Sequence, residues 1–143
     1  MSLDIDDAVQ WADGHTPAVL ITIKRDGSMQ SSDVAFAVVD GEFVVSLTAD
    51  RAKTANVRRD PRVVLHVTAP DEWAYVSFSG EATLSEVAAA ADDAVADRLV
   101  DYYRLVTGGE HPDWGEYRRA MVADGRLLLT LRPSRAVGQL PRS

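Results

Sequence analysis

AVLITIKRDGSMQSSDVAFAVVDGEFVVSLT, residues 18–48, is the stretch on which the fold turns. Residues 18–25 (AVLITIKR) are apolar and β-branched, the composition of a half-buried strand. Asp26-Gly27 follows, and glycine accepts the positive φ that a tight hairpin turn demands. Residues 30–40 (QSSDVAFAVVD) return, Asp40-Gly41 repeats the turn signal, and 42–48 (EFVVSLT) run back again. Three strands joined by two tight turns predict an antiparallel meander.

Outward from it, residues 4–13 carry modest helical periodicity, with Ile5, Ala8, Val9 and Trp11 as the apolar set and Gly14 as the stop. Residues 50–60 read as a short helix, with Asp50 as N-cap and Pro61 ending it. Residues 62–69 (RVVLHVTA) are a fourth strand and Pro70-Asp71 a turn. Residues 73–84 (WAYVSFSGEATL) are a long fifth strand in which Gly80 marks a bulge or bend. Residues 87–106 are alanine-rich and helical, 112–124 form a helix with Pro112 in its first turn, and 126–132 (RLLLTLR) are the sixth strand. Six strands with helices at the rims predict a mainly β (α+β) fold, a closed or partly closed antiparallel barrel. No repeat or linker divides the chain, so residues 1–143 are expected to form one domain.

Composition narrows the function. The chain has no cysteine, which excludes disulfides, thiolate zinc sites and cysteine nucleophiles. His15, His66 and His111 are scattered without metal-ligand spacing, so no metal is expected. No apolar run approaches the ~20 residues that span a bilayer. The opening MSLDIDDAVQW is acidic and lacks a signal-peptide layout, so a cytoplasmic protein without membrane contact is expected. The net charge of -7 argues against nucleic acid as a partner. Yet Arg51, Lys53, Arg58, Arg59 and Arg62 place five of the 15 basic residues in one short segment. Acids gather instead at Asp4, Asp6, Asp7 and Asp13 and between Glu86 and Asp101. A basic cluster on an acidic chain points to a local anion site.

Three constellations could carry chemistry. DRAKTANVRR, residues 50–59, follows a strand and opens a helix, where unpaired backbone N–H groups and the helix dipole favour an anion. Arg51 and Lys53 can curl around one phosphate there, and Thr54 can add a hydroxyl; a solvated basic helix fits the same residues. In the fifth strand, alternation places Trp73, Tyr75, Ser77 and Ser79 on one face, as the wall of a planar ligand or as edge packing. The polar residues 30–33 enter an otherwise apolar strand and need partners if buried, which a ring edge or solvent can supply. His111 and His66 read as loop and strand residues, and no Ser-His-Asp or paired-carboxylate arrangement stands out. Redox chemistry tolerates that lack, because a bound cofactor carries the reaction.

The chain as a whole resembles the pyridoxamine-phosphate-oxidase-like split β-barrel proteins, specifically their small branch of coenzyme F420-dependent oxidoreductases. The resemblance rests on TIKRDG (22–27), QSSDV (30–34), RAKTANVRRDP (51–61), WAYV (73–76), HPDWGEYRRAM (111–121) and LLLTLRPS (127–134). It implies an FMN-binding-like split barrel and a homodimer with two sites at the interface. It implies that Arg51, Ala52, Lys53 and Thr54 hold the cofactor phosphate, and that Gln30, Ser32, Asp33 and Val34 approach the ring. Trp73 and Tyr75 would lie near the site, contributed by the partner chain, and Lys24 and Arg25 would reach toward the acidic tail of coenzyme F420. Asp33 departs from the family, which often has Asn there; a carboxylate accepts but does not donate unless protonated.

The expected function is therefore hydride transfer between coenzyme F420 and a small conjugated acceptor, with no side chain assigned as proton donor. FMN is the competing cofactor. Arg58, Arg59 and Lys24 in addition to Arg51 and Lys53 favour the deazaflavin, whose oligoglutamate tail carries several carboxylates. A non-catalytic cofactor carrier is a further reading. A pyridoxamine phosphate oxidase proper would need a second phosphate-binding cluster, and the sequence shows none.

Overall fold

Residues 18–48 form four strands, not three. After a first helix, α1 (Ile5–Ala12), strand β1 (Ala18–Ile23) pairs with β2 (Met29–Val34) through the Asp26-Gly27 turn, where Gly27 has φ +88°. The return run then breaks at Ala35-Phe36, and β3 (Ala37–Val39) pairs only with β4 (Glu42–Thr48). Asp40 and Gly41, with φ of 51° and 79°, make the turn between them. The predicted meander is corrected accordingly. Val34, Phe36 and Ala37 are all buried, which breaks the alternation a continuous strand needs. The Phe36 amide donates to Thr16 Oγ1, and the Tyr102 hydroxyl donates to the Ala35 carbonyl, fixing the corner.

The computed structural model, which describes residues 1–142, continues with α2 (Ala52–Arg59), β5 (Arg62–Ala69), a 3₁₀ turn (Pro70–Glu72), β6 (Ala74–Leu84), α3 (Ala94–Thr107), α4 (Trp114–Ala123) and β7 (Arg126–Gln139). The strands form one seven-stranded sheet in the order β2-β1-β5-β6-β7-β4-β3, antiparallel at every step. The expected six strands thus become seven because one predicted strand divides. Its two halves are the two edges of the sheet. The curl is joined at that corner by the chain itself, through Ala35-Phe36, rather than by a ladder of hydrogen bonds.

The inner face of the curl packs the main core around Leu20, Phe43, Leu47, Leu65, Val67, Phe78, Leu129 and Leu131, with Ala8, Val9 and Ala12 of α1 closing one end. Phe36, Phe43 and Phe78 pack in sequence at centroid distances of 5.5 and 4.6 Å. A second, smaller core lies on the other face of β4 and β7, where Val44 and Leu128 meet Leu99 of α3 and Tyr117 and Met121 of α4. This layer of α3 and α4 is what builds a cleft.

Other boundaries also differ from the sequence reading. Asp50 does not cap α2; Arg51 occupies that position and makes no side-chain cap. The alanine-rich stretch is helical only from residue 94. Residues 85–88 instead run along β7, with the amides of Ser85 and Ala88 donating to Leu128 and Arg126, and Asp93 caps α3 by accepting from the amides of Ala89, Ala90 and Ala96. Alanine propensity is a weak preference and tertiary pairing overrides it here. α4 begins at Trp114, capped by Asp113, so Pro112 lies before the helix and not in its first turn. β7 runs on through Pro133 to Gln139, because Pro133 sits at the register shift opposite Gly80, where no ladder hydrogen bond is required.

Candidate functional site

The junction of β4 and α2 places a basic cluster at a helix start. α2 begins at Ala52, and its first internal hydrogen bond comes from the Ala55 amide to the Arg51 carbonyl. Among the described residues, the amides of Ala52, Lys53 and Thr54 have no acceptor, which is the donor set that an anion completes. Thr54 is fully buried and its hydroxyl donates to the Thr48 carbonyl at 2.7 Å. That proton is spent on pinning the helix to the strand, so Thr54 offers a ligand its amide and not, as expected, its hydroxyl. Arg51 Nε donates to Thr48 Oγ1 at 3.2 Å. Neither Arg51 nor Lys53 is paired with a carboxylate among the described residues.

These groups open into a cleft of about 550 Å³ between the barrel edge and the α3–α4 layer. Asp33, Val34 and Ala35 form one side, Ser46, Leu47 and Thr48 the floor, and Arg51 and Lys53 one end. The opposite wall is Tyr102 and Tyr103 of α3, Tyr117 and Met121 of α4, and Arg126 at the start of β7. The tyrosine protons are largely committed: Tyr102 donates to the Ala35 carbonyl and Tyr117 to the Leu99 carbonyl, both at 2.9 Å. Burial, then the neighbouring Tyr102, pushes the Tyr117 hydroxyl up to about 12, so it stays neutral. Burial likewise raises Tyr102. The wall therefore offers rings, the lone pairs of Tyr102 and Tyr117, and the uncommitted Tyr103 hydroxyl, suited to the face and edge of a planar ligand.

Of the residues expected from sequence, the cleft brings together Asp33, Val34, Arg51 and Lys53, with Ala52 and Thr54 beside it through their amides. Gln30 is used otherwise: its side-chain oxygen accepts from Asn56 Nδ2, which also donates to the buried Thr22 hydroxyl, bracing α2 against β1 and β2. Ser32 shares the Gln30 face of β2, opposite to Asp33. Lys24 and Arg25 sit at the β1–β2 turn, the far end of β2 from Asp33. Arg59 is turned to the Ile23 carbonyl and Asn56, and Arg58 borders a separate shallow groove with Pro61 and Leu84, so neither base supports the tail-binding argument within one chain. Trp73 and Tyr75 lie three strands from β2, roughly 14 Å away.

Trp73 is nevertheless unusual. It is 83% exposed and has φ +53°, a left-handed conformation that a bulky residue rarely adopts. Gln139 Nε2 donates to its carbonyl, and the preceding Glu72 accepts from both Trp11 Nε1 and the His15 ring, which tie the turn to α1. Tyr75, His66 and Ser77 continue that outer sheet face, with His66 Nδ1 2.7 Å from Ser77 Oγ. Farther along the same face, Ile21, Ile23, Met29 and Val64 line an apolar groove of about 920 Å³ rimmed by Arg62, Glu81 and Arg132.

Sequence reasoning missed Tyr102, Tyr103, Tyr117, Met121 and Arg126. HPDWGEYRRAM was visible as a family segment, but nothing local shows that its tyrosine returns to the β4–α2 junction.

The pyridoxamine 5'-phosphate oxidase family profile matches residues 5–137, and the chain belongs to that family. Solved structures share the fold. A conserved hypothetical protein from Mycobacterium tuberculosis superposes with a TM-score of 0.77 at 22% identity, covering 96% of this chain and 85% of that one. An F420 reductase gives 0.66 at 22% identity over 90% and 94% of the two chains. An FMN-binding, pyridoxamine 5'-phosphate oxidase-related protein from Nostoc punctiforme gives 0.61 at 14% identity over 95% and 79%. No helix among the described residues is long and apolar enough to cross a membrane.

Proposed function

We propose that this protein is an oxidoreductase that binds coenzyme F420 by its phosphate at the start of α2. The observation that carries this is the convergence of two unpaired cations, Arg51 and Lys53, with the three acceptorless amides of Ala52, Lys53 and Thr54 at one end of a cleft wide enough for a tricyclic ring. The residues fit such a group: donors and positive charge at one end, and Val34, Ala35, Leu47, Met121 and three tyrosine rings along the rest. When bound, the deazaflavin supplies the hydride chemistry. The chain's own residues bind the anion and orient the ring between the tyrosine wall and the floor of residues 46–48. Asp33, exposed at the cleft edge, accepts hydrogen bonds from ring N–H groups. The Tyr102 and Tyr117 protons are held by backbone carbonyls, so neither is the proton source for an acceptor, which leaves the Tyr103 hydroxyl or solvent to serve.

The reading includes a homodimer in a cytoplasmic setting. Tyr75 is displayed on the outer sheet face and Trp73 on the exposed turn just before β6, both too far from the cleft of their own chain to act there. An apolar groove farther along that sheet face, with Met29 73% exposed, offers a surface for a second copy. A partner docked on that face would bring its Trp73 and Tyr75 toward the cleft.

FMN is the second reading, favoured by one observation: Lys24, Arg58 and Arg59 lie outside the cleft, which removes the bases expected for an oligoglutamate tail. A fluorescence titration with coenzyme F420 and FMN side by side tests the assignment. Tight deazaflavin binding with weak FMN binding is expected, followed by turnover of a panel of conjugated acceptors with the reduced coenzyme. Tight FMN binding alone would move the protein to the flavin reading. Binding of the deazaflavin in both redox states without turnover of any acceptor would make it a carrier.

A further inference from the structure

The geometry points to Arg126 as a third cation of the anion site, making it a site for a doubly charged phosphate-bearing group. This deepens the proposed function and rests on it. Arg126 opens β7 directly opposite Thr48 of β4, in register, so both side chains lie on the same face of the sheet. Thr48 Oγ1 is the atom that receives Arg51 Nε. Arg126 and Arg51 therefore flank one threonine, with Lys53 at the same end of the cleft.

Three observations mark Arg126 as poised for a ligand. Its Nε is the one buried side-chain nitrogen or oxygen among the described residues without a hydrogen-bond partner. That nitrogen is closed to solvent, so it marks a guanidinium that the protein leaves uncommitted and is not itself the point a ligand in the cleft would touch. Its nearest carboxylate, Asp124, stands at 4.0 Å, the limit of an ion pair, and is itself half-exposed. The side chain as a whole is 33% accessible and lines the cleft together with Tyr117 and the β4 floor. Because Tyr102 and Tyr117 have spent their protons, Arg126 is the charged donor of that wall.

Charge then decides the ligand class. Arg51, Lys53 and Arg126 supply three positive charges against the single carboxylate of Asp33 in the cleft. A lone phosphodiester carries one negative charge. A phosphate monoester at neutral pH carries nearly two, as does a phosphodiester with an adjacent carboxylate. The shared chemistry is a dianion, which FMN offers in one group and coenzyme F420 through its phosphodiester and tail together.

The test compares wild type with Arg126→Met, which keeps an apolar stem, and Arg126→Lys, which keeps the charge. Each is titrated with FMN, coenzyme F420 and riboflavin, the last lacking any phosphate. Arg126→Met is expected to weaken FMN or coenzyme F420 by about tenfold or more, leave riboflavin unchanged and not lower the melting temperature of the unliganded protein. Arg126→Lys should recover part of the loss. Weakening of FMN alone assigns Arg126 to a monoester, weakening of the deazaflavin alone assigns it to the dianion as coenzyme F420 presents it, and weakening of both assigns it to the dianion they share. Unchanged affinity for both phosphate-bearing probes, or an equal loss for riboflavin, overturns the role of Arg126 while leaving Arg51 and Lys53 in place. A wild-type protein that binds neither FMN nor coenzyme F420 overturns the proposed function and this inference with it.

Discussion

Lys53 shows what one residue contributes. It has no carboxylate partner, stands at the second position of α2 and faces the cleft, so its charge is available to a ligand. Lys53→Ala should weaken cofactor binding by about 1.5–3 kcal/mol, the range for hydrogen bonds to charged groups, by the same fluorescence titration. Thr54, its neighbour, acts on the protein instead. Thr54→Val removes the buried bond to the Thr48 carbonyl and should cost about 1 kcal/mol of stability in urea unfolding. Tyr117 gives a pH signature. Its hydroxyl titrates near 12 in the fold against 10.0 in the free side chain, so the unfolded chain loses that proton first. Stability that is present below pH 10 should fall as pH rises toward 12, and Tyr117→Phe should flatten the fall in unfolding experiments across that range. At this scale the sequence was informative where chemistry is local. Arg51 and Lys53 are adjacent in the chain to the helix start they decorate. Arg126 and Tyr117 are more than sixty residues away, and only the pairing of β4 with β7 and the packing of α4 bring them in.

At the scale of elements, strands β4 and β5 were legible to the residue, because dense β-branched runs bounded by turn or breaker residues leave little freedom. The second strand was not. VAFAVV reads as one apolar run, yet a buried corner at Ala35-Phe36 sends its halves to opposite edges. The helix expected from 87 starts at 94 because Asp93 gathers three backbone amides in a cap, which also holds its carboxyl below the usual range, the Ala96 amide first. That cap stabilises above the ordinary value of 3.8 and is lost as pH falls through the lowered one. Asp93→Ala should lower the melting temperature at pH 7 and reduce its dependence on pH below 4. The end of β7 makes a sharper demand. At Gly138 a Cβ would collide with the Tyr75 carbonyl oxygen, so Gly138→Ala should destabilise the β6–β7 pairing and lower the melting temperature. A side chain at that point has no room to move, since the obstruction is backbone.

For the whole molecule, a curled antiparallel sheet with helices around it was readable from turn spacing, though with seven strands and open edges in place of the expected six-stranded barrel, and the family was readable from motifs spread along the chain. The cleft was not, because it belongs to the contact of α3 and α4 with the outer face of β4 and β7, a pairing that no local pattern encodes. The proposed dimer is a prediction at this scale. Ile21→Glu with Met29→Glu places charge in the apolar groove and should convert a dimer to a monomer by light scattering, with weaker cofactor binding if the partner's Trp73 and Tyr75 complete the site. The account rests most heavily on the α2 start as the phosphate cradle. Backbone amide NMR of the protein, titrated with coenzyme F420 and separately with FMN, tests it most directly. The account predicts that the largest shifts fall on the amides of Ala52, Lys53 and Thr54 with whichever cofactor binds. Binding that leaves those three amides unmoved would contradict it.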